Sequence, residues 1–140
     1  MPVTGFDHVS YPTDDSERFL EFYKRLGFKV LGEERWRSGK SPIFSIQIGD
    51  ASMINVHPGG FRPPAHLRGR GARPGCADFC FVWDGTVEDV LAMLDRAGVQ
   101  PVEGPVPRRG GRGAGAVPSQ SVYIQDPDGN LLEFMVYDSQ

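Results

Sequence analysis

The chain repeats itself, and the repeat constrains its fold more than any single residue does. A strand, a helix and three strands are expected over about residues 5–57, and the same order returns over about residues 75–137. The correspondence reaches individual residues. Leu26-Gly27 is answered by Ala97-Gly98 and Ile46-Gln47 by Ile124-Gln125. Asp50-Ala51-Ser52-Met53-Ile54-Asn55 is answered by Asp128-Gly129-Asn130-Leu131-Leu132-Glu133. Matches that keep their order point to duplication. The expected class is therefore α+β: two βαβββ modules in one domain spanning residues 1–140, joined by a linker at 58–74 rich in Pro, Gly and Arg.

Local signals set the expected elements. Strands are expected at 5–12, 28–36, 42–48 and 51–57 in the first module, and at 75–83, 99–105, 119–125 and 130–137 in the second. Asp14, with Glu17 three residues on, reads as a capping box for a first helix, and Gly27 as its stop. Thr86 and Gly98 bound a second helix with Val87, Val90, Leu91 and Leu94 as its apolar stripe. Asp126-Pro127-Asp128-Gly129 is a turn between the last two strands. Residues 108–118 hold four glycines with Arg108, Arg109 and Arg112, and a flexible lid that closes on an anionic ligand is expected there.

Strand alternation then sorts faces. Ile54 and Val56 oppose Asn55 and His57; Phe44, Ile46 and Ile48 oppose Ser45 and Gln47. Val122 and Ile124 oppose Ser121, Tyr123 and Gln125; Leu132, Phe134 and Val136 oppose Glu133, Met135 and Tyr137. The apolar sets belong under the helices. The mixed sets then line something else, and a ligand cavity is the economical assignment. His8 and Asp78 face away from Val9 and Phe79 and join that polar face.

A net charge of −3 gives no basic field for nucleic acid, and no apolar run is long enough to span a membrane. The opening Met1-Pro2-Val3-Thr4-Gly5 lacks a basic segment and an apolar core, so a cytoplasmic location is expected. Cys76 and Cys80 are too far apart along a strand to bridge, and two buried apolar thiols are expected.

Three stretches carry a resemblance: Phe6-Asp7-His8-Val9, Phe22-Tyr23-Lys24-Arg25-Leu26-Gly27-Phe28, and Asp126-Pro127-Asp128-Gly129-Asn130-Leu131-Leu132-Glu133-Phe134. Together they resemble the vicinal oxygen chelate (glyoxalase/bleomycin resistance/dioxygenase) superfamily. Glu103-Gly104-Pro105-Val106-Pro107-Arg108 and Asn55-Val56-His57 look more narrowly like the glyoxalase-domain-containing protein 5 group. The resemblance implies modules that roll their sheets into an open, barrel-like cup. It also implies a divalent metal ion (Mn, Fe, Ni or Zn) held by His8, Asp78 and Glu133, with Asn55 at the fourth quasi-symmetric position. The family's firm metal sites usually carry His where this chain has Asp78.

The leading expectation is a metal-dependent enzyme on a small oxygenated substrate, of lyase, isomerase or related chemistry. Glu133 and Tyr123 are candidate catalytic groups, with Asn55, Tyr137 and Arg108 as substrate contacts. His57 stands beside Asn55 as a general base, a substrate contact or a further ligand. The alternatives are a metal-free protein that binds an antibiotic or metabolite, and a ring-cleaving dioxygenase. A homodimer is expected, because two small modules leave sheet edges to cover.

Overall fold

The computed structural model describes residues 2–138, which divide into two compact units after Cys76. In the first unit, β1 (His8–Pro12) leads to α1 (Ser16–Arg25), β2 (Lys29–Leu31), α2 (Glu33–Arg37), β3 (Phe44–Ile48) and β4 (Ser52–His57), followed by a single 3-10 turn at Ala65–Leu67. In the second, β5 (Asp78–Val82) leads to α3 (Val87–Ala97), β6 (Glu103–Arg109), a 3-10 turn at Arg112–Gly115, β7 (Pro118–Gln125) and β8 (Leu131–Tyr137). Each unit holds one four-stranded mixed sheet, ordered β1-β4-β3-β2 and β5-β8-β7-β6. The first strand of each unit runs parallel to its neighbour and the other pairs are antiparallel. Neither sheet closes on itself.

The register confirms the duplication strand by strand. Ser10, Asn55 and Ser45 stand side by side across the first sheet, and Cys80, Glu133 and Tyr123 stand side by side across the second. The expected apolar faces carry the two cores. Phe19, Leu20 and Tyr23 of α1 are buried with Phe44, Ile46, Ile54 and Val56. The Phe19 and Tyr23 rings stack at 4.2 Å, and the Tyr23 hydroxyl meets that of Tyr11 at 3.1 Å. Val90 and Leu94 of α3 are buried, as are Val122, Ile124, Leu132 and Phe134 of the second sheet.

Several boundaries differ from expectation. The strand expected at 28–36 stops at Leu31, because Gly32 turns left-handed at φ +76° and starts α2. That short helix is held by Arg37, which donates to Glu33 within it and bidentately to Glu17 of α1. Trp36 rests against Phe44 at 4.9 Å. Glu17 is thereby used in an ion pair, and the cap of α1 is Asp15, which accepts from the Arg18 N–H, rather than Asp14. By contrast Thr86 caps α3 as expected, and Asp89 completes a reciprocal capping box.

The strand expected at 99–105 begins four residues later and runs to Arg109, so Arg108 and Arg109 sit on a strand rather than in the loop. It is an edge strand with an irregular register between Glu103 and Val106, which is where Pro105 is tolerated. The remainder of the expected lid is tied down. The Arg112 N–H donates to the Tyr137 hydroxyl, and the Arg112 guanidinium lies 4.1 Å above the Tyr137 ring. Cys76 and Cys80 are free thiols as expected, but both are exposed rather than buried. Among the described residues no helix is long and apolar enough to cross a membrane.

Candidate functional site

In the second unit the face turned away from α3 forms an open cavity of about 420 Å³. All four of its strands contribute: Cys80 and Val82 from β5, Arg108 and Arg109 from β6, Tyr123 from β7, and Glu133, Met135 and Tyr137 from β8. The structure thus gathers four residues that alternation and resemblance had singled out: Glu133, Tyr123, Tyr137 and Arg108.

Glu133 is the centre of this face. Its Oε2 accepts a 2.5 Å hydrogen bond from the hydroxyl of Ser121, which is fully buried on the neighbouring strand. A carboxylate fixed from below by a buried donor loses much of its rotational freedom. The Cys80 thiol stands across from it in register. Packing around the sulfur, and then the Glu133 charge, push this thiol up to about 12. Cys80 therefore remains a neutral thiol at physiological pH and is no nucleophile.

The two tyrosines are held by main chain and arginine. Tyr123 accepts from the Arg108 Nε at 3.0 Å, with the guanidinium 5.5 Å from its ring. Burial raises the Tyr123 pKa above the ordinary phenol value and Glu133 adds to the rise, while Arg108 opposes it. Tyr123 is thus a protonated donor. The Tyr137 hydroxyl accepts from the Arg112 N–H, which leaves its own proton for a ligand. Gly110 makes this arrangement possible, since a methyl there would meet the Tyr137 hydroxyl at 2.5 Å and the Met135 sulfur at 2.6 Å.

Asp78, His8, Asn55 and His57 are not among the residues that line this cavity. Asp78 is exposed at the start of β5, opposite Leu131 and so two residues short of Glu133. His8 occupies the same diagonal in the first unit, opposite Met53 and two residues short of Asn55. Its Nδ1 is held by Asp7 Oδ1 at 2.6 Å. The Asn55 Oδ1 accepts from the Ser45 hydroxyl at 2.7 Å. His57 lines a different cavity, built wholly within the first unit. Sequence reasoning missed Ser121 and Cys80 as members of the site. Alternation did put Ser121 on the polar face, but only the register reveals a buried hydroxyl aimed at Glu133.

The glyoxalase/bleomycin resistance protein/dioxygenase superfamily model matches residues 5–134, nearly all of the chain. The chain belongs to that superfamily. It is 34% identical over 139 residues to the glyoxalase domain-containing protein RDO1 of Mycosarcoma maydis, covering 98% of this chain and 70% of that protein. It is 35% identical over 140 residues to the virulence protein STM3117 of Salmonella typhimurium, covering 98% and 87%. The crystal structure of STM3117 superposes with a TM-score of 0.80 over 99% of this chain and 100% of that one. An integron cassette protein from the mobile metagenome of V. cholerae gives 0.82 at 29% identity, over 99% and 98%.

Superfamily members commonly use divalent metals. Among the described residues no three His, Cys, Asp or Glu side chains cluster closely enough to hold an ion. The residues that the resemblance names stand two to a unit on matching diagonals: His8 with Asn55, and Asp78 with Glu133. Their chemistry suits a hard or borderline cation. The Asp7 carboxylate engages His8 through Nδ1, so Nε2 is the ring nitrogen left to face outward.

Proposed function

We propose that the chain is a metal-dependent enzyme acting on a small oxygenated substrate, with His8, Asp78 and Glu133 as the ligands of a divalent ion. The observation that carries this reading is Glu133, an anchored carboxylate on an open face walled by two phenols and an arginine. When bound, the ion supplies Lewis-acid polarisation of a carbonyl or hydroxyl oxygen. The rest falls to the chain. Glu133 is the group placed to take a proton from the substrate, since Ser121 holds one oxygen in place. Tyr123, kept protonated, donates to a developing oxyanion. Arg108 spends Nε on Tyr123 and Nη1 on the Pro107 carbonyl, and its remaining Nη2 faces the charge of the substrate in this reading. Asn55, with its carbonyl oxygen committed to Ser45, offers its amide NH₂ as a substrate contact.

The test is thermal unfolding of chelator-treated protein with Mn(II), Fe(II), Ni(II) and Zn(II) added singly. A specific ion at about 100 times its Kd adds about 2.7 kcal/mol, which raises Tm by roughly 8–12 °C at this size. No rise with any of the four overturns the metal reading.

One observation favours a second reading, a metal-free binding protein. Glu133 is already satisfied by the neutral hydroxyl of Ser121, which needs no cation. Stabilisation by aromatic or anionic compounds in the absence of metal is the result that would select it. Under either reading we propose a homodimer, because β1 and β5 each stand at an end of their own sheet and Val82 on β5 is 61% exposed. Light scattering should give about twice 15.4 kDa. A monomer at every micromolar concentration contradicts it.

A further inference from the structure

The first unit has a cavity of its own, about 240 Å³, between its sheet and the segment that follows β4. Ser10 and His57 come from adjacent strands on the face turned away from α1, and Arg62 and Arg68 come from the following segment. Pro12 and Leu67 add apolar wall. The lining includes two guanidinium groups and no carboxylate. Among the described residues the Arg68 side chain, both His57 ring nitrogens and the Ser10 hydroxyl have no hydrogen-bond or ion-pair partner. Arg62 donates from Nη1 to the Phe61 carbonyl, and its Nη2 lies 3.8 Å from Asp14, outside the cavity lining. The Phe61 ring meets His57 edge-on at 5.5 Å and fixes the imidazole plane. Four donor groups with spare capacity around a space of about eight waters' volume suit a small oxyanion and are too confined for a drug-sized ligand.

We propose that this cavity is a binding site for a small oxyanion, a sulfate- or phosphate-like group or a carboxylate, clamped by Arg62 and Arg68 with His57 and Ser10 as further donors. Its lining shares no residue with that of the Glu133 cavity, and the proposal does not depend on the metal reading. Arg62 and Arg68 are the charged groups facing the cavity, with Asp14 behind Arg62.

Sulfate is the probe. The histidine Cε1–H resonances are followed by NMR during sulfate titration, with ionic strength held by chloride and acetate as a parallel arm. His57 should shift saturably, and His8 should not respond. Arg68→Ala should weaken binding about tenfold without changing thermal unfolding, since Arg68 holds nothing else in place. Preference for sulfate assigns a tetrahedral anion, and preference for acetate assigns a carboxylate. No saturable His57 shift with either anion, or equal affinity in Arg68→Ala, overturns the proposal.

Discussion

Glu133→Gln is expected to weaken Mn(II) binding more than about 100-fold while leaving the fold intact. The magnitude follows from a comparison. Losing even an outer-shell partner costs metal sites about 10–100-fold, and this change removes a charged ligand outright. The fold survives because the amide oxygen of glutamine can still accept from Ser121, so the fully buried hydroxyl keeps its partner. Stability should change by less than about 1 kcal/mol. Glu133→Ala is a poorer test. A cavity-facing side chain reads from sequence as safe to truncate, yet here truncation strands the Ser121 hydroxyl and costs about 1–3 kcal/mol. Cys80 supplies an independent readout. Removing the negative charge at 133 takes away the second of the causes that hold its thiol up at about 12, so alkylation at alkaline pH should become faster. Metal affinity preserved in Glu133→Gln would show that Glu133 is no ligand.

Asp126→Ala should be among the most destabilising substitutions outside the two cores. Asp126 is buried, and its Oδ1 accepts from the backbone N–H groups of Asp128 and Asn130, while Oδ2 accepts from Asn130 Nδ2. Asn130, fully buried, passes the connection on: its Oδ1 accepts from the Ala77 N–H at 2.9 Å, just before β5. One carboxylate thus organises the β7–β8 turn and ties it to the first strand of the unit. Its removal leaves buried donors unsatisfied, for a loss of about 3–5 kcal/mol or roughly 10–20 °C in Tm. Calorimetry that finds less than about 1 kcal/mol would contradict this account of the turn.

That turn also shows what a sequence can and cannot disclose. Asp126-Pro127-Asp128-Gly129-Asn130 is legible as a turn and as a family signature, but the reason for its composition, a buried polar knot reaching Ala77, needs the pairing of β5 with β8. The duplication, the two cores and the polar faces were legible because period-two alternation survives in β3, β4, β7 and β8. The α2 helix was not, because its cause is the distant Glu17–Arg37 pair, which no local pattern contains. The shift of β6 was hidden for a similar reason: prolines and glycines that signal a loop are acceptable on an unpaired edge. Alternation placed Glu133, Tyr123 and Tyr137 on one face, and the register added Ser121 and Cys80 around the carboxylate. His57 was grouped with them by its strand position; that it also shares a cavity with Arg62 and Arg68 was hidden, because those come from a segment without periodicity.

The most direct test of the metal assignment is paramagnetic broadening by Mn(II) in protein with labelled histidines. This chain has only three, at positions 8, 57 and 66, so the spectrum is simple. Substoichiometric Mn(II) should erase the His8 ring resonances first and leave those of His66 sharp, and Glu133→Gln should restore them. Equal broadening of all three histidines, or a His8 signal that persists at one ion per chain, would contradict the account.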